Sequence, residues 1–162
     1  MQALNSEVAY NDSLESMLTM VNVDENYLHQ LFDIYYQRLL HNQHLIDKLS
    51  RRGTCREAIA NNYIGVCDRS LNRYIDTSSK SEGAGFRGTL RRVGLTKENG
   101  HEVFRGCVVE PVYIEDRLVA VCGIKHICPS RKAPRIIQWY RDTIYELPIN
   151  FFIMAWGVRY VH

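Results

Sequence analysis

The residues of this sequence best suited to chemistry are eight cations, and the chemistry they suit is the binding of phosphate. Arg87 and Arg91 stand four residues apart, which puts both on one face of a helix. Arg105 heads a stretch rich in Val, Phe and Tyr, and Lys125 and His126 close the next such stretch. Arg131, Lys132 and Arg135 follow in a loop, with Trp139 and Tyr140 just beyond. A guanidinium binds phosphate oxygens in pairs and stacks on bases, and an aromatic ring is a platform that tolerates any base. Taken one at a time, each cation reads as a solubilising surface charge. Their clustering is what supports a joint role at a sugar–phosphate backbone.

Motifs for catalysis do not accompany them. The sequence has no G-x-x-x-x-G-K-[ST], no H-E-x-x-H and no G-x-S-x-G. Gly83–Ala84–Gly85 is too short for a dinucleotide fingerprint. His101–Glu102 has the residue types of an acid/base pair, but neighbours on a strand point to opposite faces, so both are expected in a turn or at the surface. Glu115–Asp116 is the one adjacent acidic pair among the basic residues, and it reads as a hairpin tip rather than a magnesium site. Five cysteines are present and none is spaced C-x-x-C; Cys122, His126 and Cys128 fit no common zinc spacing, so free structural thiols are expected, with no metal and no cofactor.

The elements that must position the cations follow from periodicity. Asp24 reads as an N-cap, with Leu28, Leu31, Phe32, Tyr35 and Leu39 forming one apolar helical face that ends near His41. A second helix runs through Leu45, Ile46 and Leu49 to a stop at Gly53, and Thr54 with Glu57 makes a capping box for a third. Residues 63–66 are expected to turn the chain and 70–75 to be a short helix. Residues 76–85 are a loop by composition, and 86–93 are helical, closed by Gly94. Residues 103–114 and 117–124 read as two antiparallel strands joined at Glu115–Asp116, with Pro111 marking an edge or a bulge. The expected class is α+β: N-terminal helices, then a small, mainly antiparallel sheet. The expected divisions are an arm over 1–22, a domain over 23–140, and an apolar tail over 141–162 that covers the domain or a partner.

Charge is distributed unevenly along the 162 residues. The net charge is +2, yet residues 1–50 hold two basic and seven acidic side chains while residues 51–141 hold seventeen and nine. A basic body behind an acidic arm points to a polyanionic partner. No apolar run has membrane-spanning length, and the polar first residues lack the pattern of a signal peptide, so a cytoplasmic protein is expected.

Several segments, in order, resemble a known family. Residues 45–52 with Gly53 resemble the Y-L-x-x-R-G turn that opens the polymerase core of bacterial and phage DnaG-type primases. Ile64–Gly65–Val66 and then Asp68–Arg69–Ser70–Leu71 are similar to its G-x-G-Y/F-A-x-R-[ST]-L stretch. Residues 85–94 (GFRGTLRRVG) and 100–106 (GHEVFRG) resemble the phage-type R-G-R-L-x-R-x-G and G-H-E-H-F-x-G, and residues 108–123 resemble a V-x-P-V-x-D-x-x-G-x-V-x-x-Y-G strand pair. The resemblance covers about residues 35–140. It implies the basic N-terminal subdomain of the polymerase core, with a template-binding role for Arg105, Lys125 and the 131–135 loop. Glu110 and Ile124 depart from the family pattern. The zinc ribbon and the metal-binding Toprim domain are not among the matching segments, so the expectation is a non-catalytic module of a phage or mobile element that binds single-stranded DNA or RNA. Replication proteins such as a helicase or primase are further expected partners. The rival expectation is a protein-interaction module, a partner or mimic of a primase, and Phe151, Phe152, Ile153, Met154 and Trp156 either cover the core or form a homodimer contact.

Overall fold

The computed structural model describes residues 23–126, 135–141 and 149–153. Residues 23–40 form a helix, α1. It is followed by α2 (Gln43–Ser50), α3 (Arg56–Asn61), β1 (Gly65–Val66), α4 (Leu71–Asp76), α5 (Lys80–Val93), β2 (Cys107–Ile114), β3 (Arg117–Lys125) and β4 (Ile136–Tyr140). The four strands form one antiparallel sheet in the order β1-β2-β3-β4. The architecture is α+β, helices first and sheet after, as the sequence pattern implies. No helix among the described residues is long and apolar enough to cross a membrane.

Both faces of the sheet are covered. Leu28, Leu31, Phe32 and Tyr35 of α1, Leu71 and Ile75 of α4, and Phe86 and Leu90 of α5 pack with Cys107, Val109 and Val121 on one face. Leu39, Leu45, Ile46, Leu49 and Ile59 pack with Val108, Val119, Cys122 and Ile124 on the other. Burial on both faces explains why β2 and β3 are nearly continuous apolar runs rather than alternating ones. Phe151 and Ile153 complete the second cluster, whereas Phe152 is exposed; Met154 and Trp156 lie outside the described residues. Glu110 departs from the apolar pattern of β2 because its buried carboxyl accepts the Phe152 and Ile153 N–H groups, at 3.0 and 2.8 Å. It ties that segment to the sheet.

The structure corrects several local expectations. Residues 76–85 are not all loop: Ser79 caps α5 by accepting the Glu82 N–H, and the helix starts at Lys80. Three glycines weaken this helix on propensity, but they permit close packing. A Cβ on Gly83 would lie 3.2 Å from the Ile75 side chain and one on Gly85 2.7 Å from the Tyr27 hydroxyl. Tertiary contact thus overrides composition. Asp24 is not an N-cap, since Val23 is already helical; it instead accepts from Thr89 and pairs with Arg92. The Thr54–Glu57 capping box does not form: Cys55 is the N-cap of α3, without a side-chain hydrogen bond, and Thr54 is buried.

Residues 65–66 are a strand rather than a turn, because they find β2 as a partner 42 to 44 positions away, a pairing invisible to local pattern. Pro111 lies in β2, an inner strand of the sheet, but on a stretch that β1 leaves uncovered. β1 reaches only Val108 and Val109, so no bond to β1 is lost at the proline, and the register shift comes just after it, between Val112 and Tyr113. Glu115 and Asp116 form the hairpin turn, both at positive φ (50° and 63°), as a type I′ turn requires.

Candidate nucleic-acid interface

Three separate segments meet at the end of the sheet away from that hairpin turn. The first leaves β1. Cys67 donates its N–H to the Cys107 carbonyl and accepts that of Gly106, at 3.0 and 2.9 Å. The Asp68 carboxylate then accepts from the Ser70 N–H and hydroxyl, and this Asx turn holds Arg69 at φ 72°, in left-handed backbone. The second segment follows α5. The Lys97 N–H donates to the His101 carbonyl at 2.8 Å, and Thr96 bridges Glu102, so residues 96–102 fold back on themselves. The third is the start of β2. Arg105 is not on the strand, as its neighbours' β propensity suggests. It occupies a turn in which Cys107 N–H donates to the Phe104 carbonyl at 2.9 Å, with Gly106 at φ 79°. Opposite Cys107 in the ladder stands Lys125.

The result is an open cavity of about 450 Å³ around which Arg69, Lys97, Arg105 and Lys125 stand, with His101 and Glu102 in its wall. The Arg105 guanidinium donates to His101 Nδ1 at 3.0 Å. Among the described residues, Arg69, Lys97 and Lys125 form no ion pair. Four cations around one cavity, with the buried Glu102 carboxyl beside Arg105 as the one acidic group in its wall, create a focused positive potential, an arrangement suited to an anion of extended charge.

Glu102 is the carboxyl at this cavity, and it is not at the surface as expected from its turn. It is buried, and the Tyr35 hydroxyl donates to it from α1. Burial raises its pKa, Asp68 adds to the rise, and the hydrogen bonds of Tyr35 and Cys67 oppose it. A folded-state pKa above the unfolded value means that the native state holds this proton more tightly. The stabilisation is therefore complete at low pH and is lost as pH rises through the raised value. Glu102→Gln, neutral at every pH, should escape that loss. The melting temperature of the variant relative to wild type should rise as pH climbs from the ordinary carboxylate range upward. An offset that stays constant across this range would show that the carboxyl does not titrate with folding.

The other cations distribute as follows. Arg87 pairs with Asp76 at 2.7 Å on the surface. Arg91 lies with it beside a second, smaller cleft that shares His101 and Glu102 with the first. The Lys125 N–H donates to the Arg135 carbonyl at 2.9 Å, which fixes the Arg135 backbone beside the cavity's edge. His126 is half-buried, its carbonyl accepts from Lys48, and burial with that neighbouring charge lowers its pKa, so it is neutral near pH 7. Arg131 and Lys132 lie outside the described residues. Arg69 and Lys97 were not legible as site residues. The Asp-x-Ser spacing around Arg69 signals a turn, but nothing local says that the turn faces Lys125. Cys67, Cys107 and Cys122 are buried free thiols and Cys55 an exposed one. Burial pushes Cys107 up to about 11, against the pull of Lys125.

Comparison with known proteins gives the fold a place. No family model matches the sequence, and no curated protein matches it. Solved structures that share the fold include three primases. The catalytic core of the E. coli primase superimposes with a TM-score of 0.55 at 19% identity, over 75% of this chain and 39% of that one. The Aquifex aeolicus primase, with its zinc-binding and RNA polymerase domains, gives 0.61 at 17% identity, over 76% and 30%. A DnaG primase catalytic domain bound to single-stranded DNA gives 0.57 at 20% identity, over 79% and 40%. The chain thus has the fold of part of a DnaG-type primase catalytic core and spans about two fifths or less of those proteins.

Proposed function

We propose that this chain binds single-stranded nucleic acid through the Arg69–Lys97–Arg105–Lys125 cavity and does not itself condense nucleotides. The observation that carries the reading is the convergence of four cations from four segments of the chain, none in an ion pair among the described residues. Phosphates neutralise such a cluster, and the open cavity lets a chain pass. The likeness to a primase domain bound to single-stranded DNA supports a strand as the ligand. The carboxyl at the cavity supports the second half of the proposal. Polymerisation by two metal ions needs exposed carboxylates in concert, and Glu102 is buried and engaged by Tyr35.

The test is fluorescence anisotropy with labelled single-stranded DNA and RNA over a range of salt. With four phosphate contacts, the logarithm of the binding constant should fall against log[salt] with a slope of about −3. A flat response, or no binding at low salt, would overturn the binding reading. Template-dependent product from the purified chain with Mg²⁺ or Mn²⁺ would overturn the non-catalytic one.

A further inference from the structure

The second cleft sits between α4, α5 and the 96–102 fold, and it differs in kind from the cationic cavity. Its volume is about 260 Å³. Buried Leu71, Ile75 and Leu90 form its floor, and polar groups share the lining: Asn72, Asn99 and Arg91 stand around it. Arg87, also in its wall, is engaged by Asp76. The Asn99 carbonyl oxygen is taken by the His101 N–H at 3.0 Å, which leaves its amide N–H₂ to donate. The Asn72 amide is exposed, with both donor and acceptor free among the described residues. Arg91 has no ion-pair partner there.

We propose that this cleft receives one unstacked base of the bound strand. The inference rests on the nucleic-acid reading above and deepens it. An apolar floor rimmed by polar groups suits a base, whose face is apolar and whose edges are polar. Carboxamide groups match the donor and acceptor edges of bases, and an arginine can lie flat on a base as well as grip its phosphate. The cleft also adjoins the cationic cavity through His101 and Glu102, so a backbone held by Arg105 is close enough to turn a base inwards. A nucleotide already single-stranded gives up little to do this.

The experiment compares two labelled 12-nucleotide probes, one intact and one with abasic sugars throughout, on the wild type and on Asn72→Met. Asn72 is exposed on α4, so the longer, non-aromatic side chain obstructs the cleft without entering the core and without offering a ring for bases to stack on; Asn72→Ala is the fallback, judged by thermal melting. The wild type should bind the intact probe about tenfold or more tightly than the abasic one, since each stacked base contributes strongly. In Asn72→Met the two probes should bind alike. If the wild type binds both probes equally and with steep salt dependence, the cleft takes no base and the cationic site stands. If the variant keeps the full preference for the intact probe, bases are read elsewhere and the inference fails. If neither probe binds at low salt, the inference falls together with the reading beneath it.

Discussion

Replacing Arg69, Arg105 and Lys125 together by alanine should weaken binding of a single-stranded oligonucleotide about a thousandfold at low salt, at about 1.5 kcal/mol per charged contact. The slope against log[salt] should become shallower by about 2, because three fewer counterions are released. Arg69 and Arg105 are exposed and Lys125 is half-buried, and none of the three forms an ion pair with a described residue. Their removal relieves mutual repulsion, so the melting temperature should not fall. The control removes the same number of charges elsewhere: Arg38, Arg51 and Arg56, on α1, at the end of α2 and on α3, none of which lines the cavity. That variant should bind within a few-fold of wild type. Equal losses in the two variants would mean that net charge, not this cavity, drives association.

The second large effect is on stability. A Cβ on Gly65 would lie 2.4 Å from the Tyr35 carbonyl carbon, 2.6 Å from the Tyr36 nitrogen and 2.7 Å from the Tyr35 oxygen. All three are backbone atoms of α1, within its hydrogen-bonded length, and cannot move aside as a side chain can. Gly65→Ala should therefore push α1 off the sheet and lose about 3 kcal/mol or more, the upper range for overpacking. In a chain of this size that is a fall of about 10 °C in melting temperature. Because β1 leads directly into Arg69, surviving protein should also bind nucleic acid less well. Gly53→Ala is the comparison. Gly53 has positive φ (94°) but no neighbour within 4 Å, so only backbone strain applies, about 1 kcal/mol. A Gly65→Ala melting temperature equal to that of Gly53→Ala would refute the close approach of α1 to β1.

Amino-acid pattern by itself determined the helices with a clean apolar face and the β2–β3 hairpin. The five apolar residues of α1 that mark its face, Leu28 to Leu39, are all buried, and Glu115–Asp116 is the turn. These features depend on spacings of two, three or four residues, so neighbours in sequence suffice to specify them. The basic character of the central segment was equally legible, because charge is a property of composition. Tertiary structure decided everything that joins distant segments. β1 is two residues long and exists only because β2 pairs with it. α5 tolerates Gly83 and Gly85 only because Ile75 and Tyr27 need that space. Glu110 is at home in a buried strand only because the N–H groups of residues 152 and 153 reach it. The site follows the same rule. Arg105 and Lys125 come together through the hairpin register that the pattern specifies, but Arg69 and Lys97 join them from segments whose local sequence carries no record of what they face. A side chain's type and its place on a helix or strand are local facts; which other charges share its cavity depends on how the backbone closes, and that closure is set by long-range packing.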